Sequence, residues 1–320
     1  MLVHHLKGGQ VESLAFGPDG RMLVVPRRDS GVLVWDDATA GTPPRALPDT
    51  AGPRRFSNPH GRVRISADGR RVGCHDWFRS CVYDTTGDAP SAVEPEVANA
   101  EFHAALTPDG EAVVLSQSRP RPDDVIGRFE TRLSLRSLAD PHPAADRWAI
   151  DIERWVWDEA AFLPRGEFVS PEVTYPVHRP RLDHRWVVRD LATGRELRSS
   201  PDLGRAAAQA TASPDGRWVA GVHTKHLVAW RPDDPGAPVI ERKNDGRLHF
   251  TGLAFHPSGA CLATTSTDAT IRIYDTAAWE VVRTYAWNVG KLRCVAFSPD
   301  GQLAAAGSDT GRIVVWDVDF

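Results

Sequence analysis

Short runs of alternating apolar and polar residues recur along the whole chain, and each is closed by a turn of Pro, Asp and Gly or a near variant. The run VESLAF leads into GPDG at Gly20 and is followed by VLVWD ending at Asp36. FTGLAFHPSG is followed by TIRIYD ending at Asp275, and LRCVAFSPDG by RIVVWD ending at Asp317. Weaker copies fill the middle: VRISADG with CVYD, LTPDG with RLSLRS, FLPRG with WVVRD, and ASPDG with LVAWR. Period-two alternation broken by turn residues is strand chemistry. Pro presets φ at the first corner, Asp bonds its own backbone and Gly accepts positive φ, so the triplet reverses the chain at little cost. With 26 Gly and 25 Pro spread along 320 residues and no long amphipathic stretch, an all-β fold follows.

The seven turn glycines are Gly20, Gly69, Gly110, Gly166, Gly216, Gly259 and Gly301, at intervals of 49, 41, 56, 50, 43 and 42 residues. Repeats of ~40–45 residues with a Trp-Asp signature are those of propeller blades. On these turns and dipeptides the chain resembles the WD40 repeat family over nearly all of residues 1–320. The resemblance implies one domain, a seven-bladed β-propeller of four-stranded antiparallel blades. After Trp316-Asp317 the seventh blade has no residues for its own outer strand, and the leading segment 1–7 has no blade. Leu2 to Leu6 is therefore expected to zip the ring shut as that strand, which removes an exposed sheet edge.

The family's Gly-His dipeptide, whose His joins an Asp, a strand Ser or Thr and the Trp in a structural tetrad, is missing. Asn288 and Gly246 stand at its place in blades seven and six, so Trp35, Trp230 and Trp316 are expected to be core aromatics without complete tetrads. Phe297 is expected to be a buried aromatic of blade seven. Asp29-Ser30-Gly31 and Asp309-Thr310-Gly311 mimic the paired loops of aspartic proteases. Both fall in second-to-third strand turns, as does Thr267-Asp268-Ala269-Thr270, where Asp bonds turn amides instead.

A net charge of −4 gives no general attraction to nucleic acid or to an anionic membrane. The start of the chain lacks a secretory pattern, no run of 18 apolar residues occurs, and Cys74, Cys81, Cys261 and Cys294 lack metal-knuckle spacing. A monomeric cytoplasmic protein with reduced thiols and no cofactor is expected.

The repeat is broken most by two long second-to-third strand loops on adjacent blades, Ser118 to Glu130 and Pro171 to Arg185. They bring Arg119, Arg121, Arg128, Tyr175, His178, Arg179, Arg181, His184 and Arg185 to one sector, beside the blade-five loop from Val222 to His226. Arg and Tyr anchor interfaces, so the sector suits a partner peptide carrying Asp, Glu or phosphate. Asp123, Asp124, Glu130, Glu172 and Asp183 nearly neutralise it. His178, His184, His223 and His226 are a possible zinc set, but solvated loop histidines are the reading preferred here. Trp155 and Trp157, just before the inner strand of blade four, are placed near the same face, and alternation makes at least one of them core. The function expected is a non-catalytic interaction scaffold. The rival is a propeller enzyme, hydrolase or lactonase-like, using Glu12, Glu101, His103 and Glu159 at the central channel.

Overall fold

A computed structural model describes residues 1–6, 9–27, 31–47, 62–76, 79–86, 91–93, 100–121, 128–139, 146–174, 182–203 and 208–319. Strands alternate with turns throughout, and no helix forms among these residues. Seven antiparallel sheets follow one another in chain order, each pairing strands in sequence from the innermost to the outermost. Their innermost strands are Ala15–Phe16, Arg64–Ile65, Glu101–Leu106, Ala161–Leu163, Ala208–Ala212, Phe250–Phe255 and Leu292–Phe297. In blade four the short strand Trp155–Val156 adds to the inner edge, pairing Val173 and Glu172. The closing strand is Leu2–His5, held against the last strand with Leu2 opposite Val315 and His5 opposite Arg312.

All seven turn glycines have φ between +69° and +75°, the left-handed region that glycine enters without strain. Around them a short hydrogen-bond motif repeats. The hydroxyls of Ser66, Thr107, Ser213 and Ser298 donate to the carboxylate two residues on, at Asp68, Asp109, Asp215 and Asp300. The same carboxylates accept the amides of Arg70, Glu111, Arg217 and Gln302. Hydroxyl and amide donors hold Asp68 and Asp300 below the ordinary carboxylate range.

A cluster of buried apolar residues fills each junction between neighbouring blades. The one closing the ring joins Cys294, Ala305, Ile313 and Val315 of blade seven to Val11, Leu14, Phe16 and Trp35 of blade one. At this junction a Cβ on Gly307 would lie 2.7 Å from Val11 Cβ, so only glycine lets the two blades meet. Trp35, Trp230 and Trp316 are buried, and their indole N–H groups have no hydrogen-bond partner among the described residues, as the missing tetrads predict. In blade six it is the buried Asn244, not the position of Gly246, that takes up the polar role. Its Nδ2 donates to Ser266 Oγ at 3.0 Å, and its Oδ1 accepts from Arg272, which also reaches Asp268 at 3.0 Å. Thr270 N bonds Asp268 within the turn, whereas Asp309 reaches out of its turn to accept Lys291 N at 2.9 Å. Asp29 lies outside the described residues. Phe297 is half-buried rather than buried, its ring meeting the His256 edge at 5.2 Å.

Candidate interaction surface

In every blade the Pro-Asp-Gly turn joins the first strand to the second on one face of the ring. The second-to-third strand connections and the segments entering each inner strand share the other face, because antiparallel strands put alternate connections at opposite ends. On that second face, aromatic rings from three successive blades meet in a row. Phe129, at the start of the third strand of blade three, stacks on Trp155 with centroids 5.0 Å apart. Trp155 meets Trp157 at 6.4 Å, and Trp157 takes His184 of blade four at 6.3 Å and His223 of blade five at 6.2 Å, both edge-on. All five residues are half-buried.

Polar contacts fix the row in place. Trp155 Nε1 donates to Glu101 Oε2 at 2.6 Å, tying blade four to the inner strand of blade three. The buried hydroxyls of Ser118 and Thr131 bond each other at 2.7 Å. Ser118 donates on to Val156 O at 3.0 Å, and Thr131 to Arg154 O at 2.6 Å. The extended blade-three hairpin thus clamps the segment that carries both tryptophans. Sequence position placed Trp155 and Trp157 near this face, with alternation making at least one of them core, and Glu101 at the channel. Both tryptophans are half-buried in the row, and neither Phe129 nor the clamp was foreseen. These partners are up to 54 residues apart, and only the turn-delimited blade count brings them together.

The two long loops are shorter than their sequence suggests. Ser118–Pro120 and Phe129–Glu130 extend the blade-three strands Ala112–Pro120 and Phe129–Ser137, with Arg119 opposite Glu130 and Pro120 opposite Phe129. Pro171–Thr174 and Asp183–Arg185 likewise belong to strands Glu167–Thr174 and Asp183–Asp190. Arg119 pairs with Glu130, Arg121 with Glu153 at 3.1 Å, and Arg185 with Asp183 at 2.9 Å. Arg128 is half-buried beside Phe129 in the chain. Tyr175, His178, Arg179 and Arg181 lie outside the described residues.

The histidines separate. His184 and His223 flank Trp157. His226 is buried, correcting the solvated reading, and its Nδ1 bonds Glu241 on the outer strand of blade five. Burial pushes the His184 imidazole below its ordinary value; nearby Asp202 opposes this and His223 adds to it. No group of three or more His, Cys, Asp or Glu suited to a metal occurs among the described residues.

Two of the channel carboxylates hold other groups. Glu159 is buried and accepts Arg62 N at 3.1 Å and Arg64 Nε at 3.0 Å, and Arg64 Nη2 donates to Ala160 O at 2.7 Å. Arg62 Nη1 donates to Ala210 O of blade five. Blade two is therefore bolted across the ring to blades four and five. Glu101 is taken by Trp155, and Glu12 lines a cavity between blades one, two, six and seven.

Seven four-stranded blades, glycine-closed turns and a closing strand from the N-terminus define the class, a seven-bladed β-propeller with an aromatic-lined loop face. The chain carries WD40 repeats at its two ends: the family model for the WD domain, G-beta repeat, matches residues 1–36, 245–275 and 279–317. It is similar to the serine-threonine kinase receptor-associated protein of Gallus gallus, 36% identical over 67 residues, which are 21% of this chain and 19% of that protein. It is also similar to the guanine nucleotide-binding protein subunit beta-like protein 1 of Mus musculus, 29% identical over 109 residues, 33% of this chain and 32% of that one. An uncharacterized WD repeat-containing protein of Synechocystis matches at 28% identity over 127 residues, 39% and 36% of the two chains. The chain thus spans about a fifth to a third of the length of these relatives.

Proposed function

We propose that the protein is a non-catalytic interaction scaffold whose blade-three to blade-five loop face binds an acidic segment of a partner protein. The carrying observation is the half-buried row of Phe129, Trp155, Trp157, His184 and His223. Aromatic rings held rigid before binding give large contact area at little entropic cost. Arg119, Arg121 and Arg185 are paired with Glu130, Glu153 and Asp183, so this reading assigns the guanidinium forks that suit carboxylates or phosphate to Arg179 and Arg181, which lie between the two blade-four strands in sequence. A kinase receptor-associated protein and a G-protein subunit-like protein among the relatives support an associating role. On this reading the chain acts as a monomer in the cytoplasm, where its four free cysteines stay reduced.

Affinity capture from native lysate by the intact chain, by Trp157→Ala and by Arg179→Glu/Arg181→Glu tests the proposal. One protein is expected to be lost from both variants, with the melting temperature unchanged in Arg179→Glu/Arg181→Glu and lowered in Trp157→Ala only by the loss of about 1–2 kcal/mol that a half-buried ring carries. Trp157→Ala should weaken binding roughly 30-fold or more, as at an interface hot spot. Identical captures by all three chains would move the site elsewhere.

A further inference from the structure

The channel cavity among blades one, two, six and seven lies outside this reading. It encloses about 90 Å³ between Glu12 and Ser13 of blade one, Arg62 before the inner strand of blade two, Gly252 of blade six, and Arg293 and Cys294 of blade seven. Two guanidinium atoms on its wall, Arg62 Nη2 and Arg293 Nε, are buried without a hydrogen-bond partner. Arg62 has Glu159 at 3.8 Å, whereas Arg293 and Glu12 form no ion pair within the described residues, so Arg293 is the guanidinium left to take an anion and Glu12 is the one carboxylate opposing it. A buried donor left unmade is unfavourable by itself, and a guanidinium N–H is most strongly satisfied by an anionic oxygen.

We propose that the mouth of the channel is a binding site for a single carboxylate, seated between Arg62 and Arg293. Two unmade guanidinium donors on one wall, Arg62 Nη2 and Arg293 Nε, match the two oxygens of a single carboxylate. The volume suits a group of a few heavy atoms, since one water needs only about 10–15 Å³ on this measure. Arg62 is already fixed through Glu159 and Ala210, so one donor is preorganised. Glu12 works against the ligand through like charge. Gly252 approaches so closely that a Cβ there would lie 2.7 Å from Arg293 O, which keeps the blade-seven strand seated against the cavity. Two sources share the chemistry: a free small carboxylic acid, and an Asp or Glu side chain of a protein segment lying over the channel.

The test is the melting temperature of the full chain in sodium acetate against sodium chloride at matched ionic strength. The wild type is expected to show a saturating, acetate-specific rise. Arg293→Gln, which removes a side chain with no structural partner, should lose that rise, and Glu12→Gln should saturate at roughly tenfold lower acetate. Trp157→Ala should keep the wild-type response, which separates this site from the loop face. A capped pentapeptide with a central Glu, beside its Gln twin, assigns the source. Competition with acetate by the Glu peptide alone indicates a side-chain ligand, and competition by neither peptide indicates a free acid. A wild type indifferent to acetate, or an Arg293→Gln response equal to wild type, would overturn the proposal.

Discussion

Blades six, seven and one are held by apolar packing, whereas blades two to four are cross-linked by buried charge. At the junction of blades six and seven, Ile271, Ile273, Leu292, Val295 and Trp316 pack together, and Trp316 lies 4.8 Å from Trp287. Ion pairs in blade one sit on the rim, as with Arg45 and Asp36. In the other half, Arg136 meets Asp146 at 2.9 Å with side chains 2% and 7% exposed, and Arg189 meets Glu172 at 2.8 Å with 4% and 1%. Family matches fall on the apolar half. The lengthened hairpin ends carry the more exposed pairs, such as Arg119 with Glu130, while the buried charges sit deeper in the same blades, with Arg136 opposite Val113. Those charges must then be paired, because an unpaired buried ion is strongly unfavourable. The lengthened half therefore ties Arg119, Arg121, Arg136, Arg185 and Arg189 into structure and presents half-buried aromatic rings at its loop face.

The sharpest way to break this comparison is to remove one member of a buried pair. Glu172→Gln strips Arg189 of its buried carboxylate, leaving Glu196 at 3.8 Å, and weakens the hold on Arg154, and should lower stability by about 3–5 kcal/mol in urea unfolding. Replacing both partners, as Glu172→Leu/Arg189→Met, should recover most of that loss. In the apolar half Trp316→Ala should cost about 3–5 kcal/mol through its cavity, with no charge reversal able to rescue it. If the double replacement is as damaging as the single one, charge pairing is not what holds blade four.

Next in size is the closing strand. Removing residues 1–6 takes away the ladder from Leu2 to His5 and the buried Leu6, and should cost about 2–3 kcal/mol. It also bares the Arg312–Asp317 edge, so light scattering should show concentration-dependent association. Smaller again is Phe297→Ala. The half-buried ring makes about 1–2 kcal/mol the expected loss, below the full cost of a buried aromatic.

The same division governed what could be read from the chain. Blade count, turn positions and the closing strand were legible because a reversal at positive φ has few chemical solutions, and Pro-Asp-Gly or a near variant ending in Gly writes one of them at each blade. The third blade, with the poorest repeat, still obeyed its turn at Gly110. Strand ends at Arg119, Glu130, Asp183 and Arg185 were misjudged as loop because charged residues on an extended hairpin look like solvent-facing loop. Contacts such as Arg64 with Glu159, 95 residues apart, follow no period, and His226 beside Glu241 follows only the register of one hairpin. Long-range polar pairing is set by the closed ring, so it becomes visible only after the ring is built.

Acidification separates the halves by a smaller and finer effect. The turn carboxylates Asp68 and Asp300 belong to both halves and are held low by hydroxyl and amide donors. Their contribution is present above the unfolded carboxylate range near ~4 and is lost as pH falls through their lower folded values; being solvent-facing, they should each move the melting temperature only slightly. His184 belongs to the lengthened half alone, and its folded value is depressed chiefly by burial. Below about pH 6.5 the unfolded chain binds this proton and the folded chain resists it, so stability should decline as pH drops from neutrality toward the folded value. A melting series between neutral pH and about pH 5 should show a shallow loss in the wild type that flattens in His184→Gln. An unchanged slope in that variant would mean that the imidazole beside Trp157 is solvated enough to charge freely, and that the aromatic row is wetter than its packing implies.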